Sequence, residues 1–222
     1  MKNIIFKSLD LTPHQYTGLL EALKNFIYEA ESGEGVQVVE EQPDYVRCVY
    51  CYETIYSQNT YNPDTGEFDK LEFKRIELIP FVVDLQYKTL DILGNKQKCS
   101  RIVEMVGKLT KFKVPIADIQ VNPIKILLSC AQSGIAYCVN RVKITDYVFF
   151  DNIVGNCVLN LSDYAKTDDL LRKYEKQIVN FSAVLTLDDN YSITFYKSGA
   201  ISLYKDFEDL DIELIRTLKK GL

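Results

Sequence analysis

The stretch VVDLQYKTLDIL at residues 82–93 has a counterpart, ITFYKSGAISLY, at residues 193–204. In both stretches two apolar runs flank a short polar turn, a pattern that predicts strand, tight turn and strand. A helical pattern of apolar residues follows each stretch. The repeat therefore predicts two similar halves, residues 1–111 and 112–222, which pack together as one compact unit.

The first half also contains the signals of a helix and of a long hairpin. Thr12-Pro13-His14-Gln15 has the residues of a capping box and predicts a helix that runs from there to about Ser32. Alternating β-branched and aromatic residues begin at Tyr45, and turn residues around Pro63 lead into a second such run. Pro80 interrupts that second run, which predicts a bulge, a free edge or a bend.

The second half is harder to divide into elements. Residues 116–161 have the character of strands, except for an apolar run at 124–131 that fits either a helix or a strand. Residues 163–181 carry apolar side chains at helical spacing. That spacing predicts a helix with Ile178 and Phe181 on its inner face.

Long antiparallel strands followed by closing helices, met in both halves, predict an α+β fold in which antiparallel sheets are backed by helices. The similarity of the halves predicts a pseudo-twofold relation between them. In its topology the arrangement resembles the TATA-binding-protein-like architecture. That resemblance implies two helix-backed half-sheets.

Composition places the chain among soluble globular proteins. Hydrophobic residues make up 47% and charged residues 26% of the 222 residues. No apolar run reaches the roughly 18 residues that a membrane helix needs. The first residues lack the apolar run and cleavage site of a signal peptide, so we expect a cytoplasmic protein. The bias toward Asn, Lys, Ile and Tyr is typical of an AT-rich genome and favours a bacterial or mobile-element source.

The sequence offers little that would hold a metal, a redox group or a nucleotide. The six cysteines lie within apolar runs, as reduced core residues do. Cys48 and Cys51 have the spacing of half a zinc site, but residues three apart on a strand point to opposite faces. The only histidine, His14, belongs to the predicted cap, and Gly33 and Gly35 lack the rest of a phosphate-binding loop. We therefore expect no metal and no cofactor.

A metal-dependent nuclease is one alternative function. Nucleases of the PD-(D/E)xK class place an acidic residue and a Glu-x-Lys pair on a hairpin, where two carboxylates bind Mg²⁺ and the lysine steadies the attacking water. Asp64, Glu72 and Lys74 supply these residue types on the predicted hairpin. A polar turn flanked by solvent-facing charges explains the same residues without any chemistry.

A nucleic-acid-binding module is another alternative. Residues 86–113 hold seven cations against only Asp91 and Glu104. The seven are Lys88, Lys96, Lys98, Arg101, Lys108, Lys111 and Lys113. These side chains would meet phosphates, and tyrosines of the neighbouring strands would offer stacking surfaces. The net charge of −5 argues against a general attraction to polyanions, so composition favours a protein partner.

The sequence therefore predicts a non-catalytic binding or assembly subunit of a larger cytosolic complex. The predicted partner is another protein, with nucleic acid and self-association as alternatives. The basic segment 96–113 and the acidic segment 206–213 also predict head-to-tail contacts between copies.

Overall fold

The computed structural model describes residues 2–120, 122–150, 153–161, 167–204 and 212–221. Within these ranges the strands are β1 (Lys2–Leu9), β2 (Glu34–Glu41), β3 (Tyr45–Asn62), β4 (Glu67–Asp84), β5 (Thr89–Leu93), β6 (Ile116–Asp118), β7 (Ala136–Phe150), β8 (Ile153–Asn160), β9 (Ile178–Thr186), β10 (Asn190–Tyr196) and β11 (Ala200–Leu203). The helices are α1 (Pro13–Asn25), α2 (Lys96–Leu109), α3 (Pro123–Gln132), α4 (Thr167–Lys173) and α5 (Ile212–Lys219). None of these helices combines the length and the apolar character that crossing a membrane requires.

The strands form one antiparallel sheet with β1 at its centre. Its order is β2-β3-β4-β5-β1-β11-β10-β9-β7-β8, and β6 pairs with the end of β1. β5 lies along one side of β1 and β11 along the other. Strands from the first half therefore occupy one wing of the sheet, and strands β7 to β11 occupy the other. The predicted α+β class with a helix-backed antiparallel sheet is confirmed.

The two repeated stretches form hairpins on either side of β1. β4 pairs with β5 over residues 81–84, and α2 follows β5. β10 pairs with β11 over residues 193–196, and α5 is the next described element. Because β5 and β11 both flank β1, the repeated pattern builds the middle of the sheet.

Apolar cores lie on both faces of the sheet. Alternate residues of a strand point to opposite faces. On β5, Leu90 and Ile92 join the core beneath α1 and α2, whereas Leu93 joins the core beneath α3 and α5. On β1, Ile4 and Phe6 also belong to the second core. The central strands are consequently covered by helices on both sides.

α1 begins as the capping pattern predicts and ends earlier than expected. Thr12 Oγ1 accepts a hydrogen bond from the Gln15 backbone N–H at 3.3 Å, and the Gln15 side chain accepts one from the Thr12 N–H at 2.9 Å. The helix ends well before Ser32, because Phe26 leaves the helical conformation and its carbonyl accepts a hydrogen bond from Val36 of β2. The residues after α1 are thereby held against β2.

The second half corrects one predicted helix and resolves the ambiguous run. The helix predicted over 163–181 is wrong, because α4 covers only Thr167–Lys173 and the chain then enters β9. Residues 162–166 lie outside the described ranges. The run at 124–131 is helical, as part of α3, and the Asn122 side chain accepts hydrogen bonds from the first backbone N–H groups.

A β-bulge in β9 explains the misleading helical spacing. Ile178 and Phe181 are three residues apart, which fits one face of a helix better than one face of a strand. In the sheet, Ile178 and Asn180 pair with consecutive residues of β7, so β9 holds one extra residue between them. Both apolar side chains are therefore buried in the same core.

Pro80 marks a free edge, which is one of the three outcomes that its position predicts. β4 continues through Pro80 in unbroken register with β3. On its other side, β4 pairs with β5 only over residues 81–84, so Pro80 lies just beyond the end of that ladder. A proline has no N–H to donate and is tolerated where a strand lacks a neighbour.

Candidate functional site

The β3–β4 hairpin extends well beyond the strands on either side of it. β2 pairs with β3 only as far as Tyr52, and β5 pairs with β4 only from Phe81 onward. Among the described strands, residues 53–62 and 67–76 therefore pair only with each other, and we call residues 53–76 the ribbon. Its paired strands are ten residues long, which corresponds to roughly 30 Å at the usual rise of a strand.

The ribbon exposes large apolar side chains on both of its faces. On the face that continues the α1–α2 core, these are Tyr56, Leu71 and Phe73. On the opposite face, they are Ile55, Tyr61, Phe68 and Ile76. Phe68 is 70% and Ile55 67% exposed, and the Tyr61 and Phe68 rings pack edge to face with centroids 5.4 Å apart. This exposed apolar surface makes the ribbon a candidate contact surface.

Two carboxylates anchor the base of the ribbon. Glu53 accepts a hydrogen bond from the Tyr28 hydroxyl at 2.8 Å and pairs with Lys74 at 3.0 Å. The Tyr28 hydrogen bond, followed by Lys74, holds the pKa of Glu53 below its usual value. Glu77 lies 3.3 Å from Lys98 of α2, and the Lys98 hydrogen bond lowers its pKa in the same way. Both carboxylates are thus ionised at neutral pH and tie the ribbon to the body of the protein.

The residues of the predicted nuclease site all fall on the ribbon. Asp64 lies in its turn, where its backbone N–H donates to the Asn62 side chain at 3.0 Å. Glu72 and Lys74 lie on the same face of β4, but Glu72 pairs with Lys70 at 2.8 Å and Lys74 pairs with Glu53. In the described part of the chain, no group of three or more His, Cys, Asp and Glu side chains is arranged to hold a metal ion.

The predicted basic segment engages other residues of the same chain. Three ion pairs involve its lysines, namely Lys88 with Asp10 at 2.7 Å, Lys98 with Glu77 at 3.3 Å and Lys108 with Glu104 at 2.8 Å. Arg101 lies over the Tyr52 ring, 4.3 Å from its centroid. Lys96, Lys111 and Lys113 are exposed. The cations are therefore interleaved with acidic and aromatic partners along α2 and its flanks.

A cluster of charges joins α5 to the first half, with Lys219, Asp84 and Asp91 buried and Asp44 at its partly exposed rim. Lys219 Nζ lies 2.8 Å from Asp84 and 2.5 Å from Asp91, and Arg216 lies 2.7 Å from Asp44. Burial raises the pKa of Asp91 above its usual value. The cavity beside these side chains measures about 30 Å³. A space of that size holds water and no larger ligand, so the cluster connects elements of the fold.

The acidic segment predicted to meet the basic one lies mostly beyond what the structure describes. Residues 205–211 are outside the described ranges. Glu213, the one acidic residue of 206–213 that is described, is exposed and lies 3.7 Å from Arg216. The predicted head-to-tail contact therefore stays a prediction.

All six cysteines are free, and Cys48, Cys99 and Cys130 are buried as the sequence predicts, whereas Cys51, Cys138 and Cys157 are only half-buried. Cys48 and Cys51 lie three residues apart on β3 and face opposite sides of the sheet. Burial raises the pKa of Cys48 to about 12 and that of Cys130 to about 11. These thiols are protonated at neutral pH, and protonated thiols are poor nucleophiles and poor metal ligands.

Sequence reasoning missed both the projection of the ribbon and the buried charge cluster. The sequence marks the turn near Pro63, but the projection of the ribbon depends on where β2 and β5 stop pairing with β3 and β4. A signal for the cluster was present, because Asp84 and Asp91 lie inside apolar strand sequences where a charge needs a buried partner.

The sequence matches no protein-family model and no curated protein.

Proposed function

We propose that this protein is a non-catalytic binding subunit that engages a protein partner through the ribbon. The observation that carries the proposal is the exposed apolar surface on both faces of residues 53–76. Monomeric soluble proteins rarely expose contiguous apolar patches of more than a few hundred Å², and larger patches mark interaction sites. Exposed aromatic side chains such as Phe68 and Phe73 are typical of protein interfaces.

The charges of the ribbon support a protein partner more than a nucleic acid. Acidic and basic side chains alternate along β4, as in Lys70, Glu72 and Lys74. Binding to a phosphate backbone depends on cations that neutralise phosphates. Mixed charges around apolar residues are the normal composition of a protein–protein contact.

The proposal also includes a cellular compartment for the protein and a twofold relation between its halves. Six free thiols, three of them buried, suit the reducing cytosol and a place in a larger cytosolic complex. A twofold relation between the halves is part of the same proposal. It is supported by the two hairpins that flank β1 and by the helix found after each of them.

Site-specific photo-crosslinking in the native host tests the proposal. A photoreactive amino acid is placed at Phe73 on the ribbon, which is 51% exposed, or, as a control that is more exposed still at 72%, at Phe112 after α2. We expect adducts with a defined protein at position 73 and few at position 112. The double variant Tyr56→Ser, Leu71→Ser alters the same face as Phe73 and should remove the adducts with little change in the unfolding midpoint, because the two side chains are already 48% and 46% exposed. Equal labelling at the two positions, or adducts that survive the double variant, would contradict the proposal.

A further inference from the structure

The ribbon has an open strand edge in addition to its apolar faces. Residues 67–75 of β4 pair with β3 on one side, in unbroken register, and pair with no described strand on the other. Every residue of this stretch is exposed. We call residues 67–75 the β4 edge. An unpaired edge of this length is a template for another strand.

The sequence of the β4 edge is complementary to itself. It reads EFDKLEFKR, with charges of both signs placed around Leu71. When two copies run antiparallel with Leu71 at the centre, Lys70 of each copy lies opposite Glu72 of the other. In the same register Glu67 lies opposite Arg75. Symmetry doubles both contacts, so two copies form four pairs of opposite charge.

We propose that the β4 edge pairs with the β4 edge of a second copy, antiparallel and centred on Leu71, to form a twofold dimer. This inference rests on the proposed function of the ribbon and identifies its partner as a second copy of the chain. The two hairpins become one four-stranded sheet. A twofold contact of this kind uses the same surface on both copies and closes at two.

Charge pairing disfavours the neighbouring registers. Four of them centre on a charged residue and place it opposite its own copy, namely Asp69, Lys70, Glu72 and Lys74. Centring the pair on Phe73 places Asp69 opposite Glu77. Like charges directly opposite each other on neighbouring strands are destabilising.

The space along β4 favours the same register. Centred on Leu71, the pairing places the turn of the second copy next to Ile76. Just beyond Ile76, the carbonyl of Leu78 accepts a hydrogen bond from Lys98 at 3.4 Å, and β5 occupies the edge from Phe81 onward. Registers centred nearer to the body of the protein would push the second hairpin into α2 and β5.

Pairing also covers apolar surface. Leu71 lies opposite its own copy, and Phe73 of each copy lies diagonal to Leu71 of the other, within reach for an aromatic side chain. Phe68 lies opposite Lys74, where the ammonium group can approach the ring face. The dimer thus joins two leucines and two phenylalanines into one cluster on the face that continues the α1–α2 core.

Charge reversal with rescue tests the register. Sedimentation of the purified chain over a concentration series should show a mass that rises from 25.5 kDa toward twice that value. Lys70→Glu alone, or Glu72→Lys alone, turns two attractive pairs into repulsive ones and should weaken the dimer by about tenfold or more. The double variant Lys70→Glu, Glu72→Lys restores opposite charges and should return the dimer to near its original affinity.

Disulfide trapping tests the centre of the register independently. Leu71→Cys places two thiols opposite each other at the twofold axis, so mild oxidation should link the copies quickly. Phe73→Cys is the matched control on the same face, two residues from the axis, and should link slowly, as should the natural cysteines.

Three results would overturn the inference. They are a monomeric mass at every concentration, equal weakening by the single and double variants, or equally fast trapping at positions 71 and 73. The proposed function of the ribbon can be tested independently of the dimer. If the purified chain is monomeric while position 73 still forms adducts with a different protein, the ribbon remains a docking element and the second copy is excluded as its occupant.

Discussion

Ion pairs in two regions of this protein have the same chemistry and opposite surroundings. Lys219 and Asp84 are 2.8 Å apart, and each side chain is only 2% exposed. Lys70 and Glu72 on the ribbon are also 2.8 Å apart, but their side chains are 62% and 54% exposed. Water screens the second pair and is excluded from the first. The buried charges therefore hold α5 against the sheet, whereas the exposed charges are available to select a partner.

Charge balance within the buried cluster singles out Asp91. Lys219 and Arg216 supply two positive charges, and Asp84 and Asp44 supply two negative ones. Asp91 is a third carboxylate beside Lys219, and burial raises its pKa. A protonated Asp91 would leave the cluster neutral.

The largest expected effect comes from removing the buried cation. Lys219→Met removes the ammonium group that lies 2.8 Å from the buried Asp84 and leaves it the more distant Arg216 at 3.7 Å, so we expect the free energy of unfolding to fall by about 3–5 kcal/mol. Urea unfolding measures the change. Lys220→Met, at the exposed neighbouring position, is the control and should stay within about 0.5 kcal/mol of the natural chain. A loss below about 1 kcal/mol for Lys219→Met would show that the cluster does not hold α5 in place.

A smaller and pH-dependent effect is expected at Asp91. Because its folded-state pKa is raised, the contribution of Asp91 to stability is fully present below the ordinary value of 3.8 and is lost as the pH rises through the folded-state value. Asn cannot ionise, so the stability of Asp91→Asn relative to the natural chain should increase as the pH rises from 4 to 8.

Urea unfolding across that pH range provides the measurement for Asp91. Carboxylates whose pKa is lowered, such as Glu53 and Glu77, stabilise the protein as the pH rises. They are present in both chains, so their contribution cancels when the free energy of unfolding of the natural chain is subtracted from that of the variant. Asp188→Asn, at an exposed position, should follow the natural chain at every pH. A difference for Asp91→Asn that stays flat or decreases would contradict the reasoning.

The smallest effect on folding is expected on the ribbon. Lys70→Met breaks the exposed pair with Glu72 and should change the free energy of unfolding by no more than about 0.5 kcal/mol. The same substitution should weaken self-association, because Glu72 of the second copy loses its opposite charge. Urea unfolding at a concentration that keeps the chain monomeric separates the two effects, and a large loss of monomer stability would mean that the pair belongs to the fold.

Local signals predicted the elements with strong chemical markers. The capping residues predicted the start of α1, and the repeated strand–turn–strand pattern predicted the hairpins that end in β5 and β11. The helix predicted over 163–181 failed because a bulge gave Ile178 and Phe181 a spacing that helices also have. The spacing of apolar residues alone cannot distinguish a helix from a bulged strand.

The candidate site was predicted only in part. The sequence predicts that Asp64, Glu72 and Lys74 lie on a hairpin, but it does not reveal that the hairpin extends beyond the neighbouring strands β2 and β5. That property depends on where β2 and β5 stop, and both strands are distant in the chain from the ribbon tip. The basic segment was recognised as well, whereas its acidic and aromatic partners Glu77 and Tyr52 come from other elements.

Propensity, capping and period act between residues close in the chain, so the class of the fold, the hairpins of both halves and the burial of three of the six cysteines could be predicted without the structure. Packing between distant segments determines which parts of those elements are covered. It brought Lys219 to Asp84 across 135 residues and left the end of the β3–β4 hairpin in water. Burial is a property of packing between distant segments, so the same kinds of residue became a fixed ionic cluster in one place and an open surface in the other.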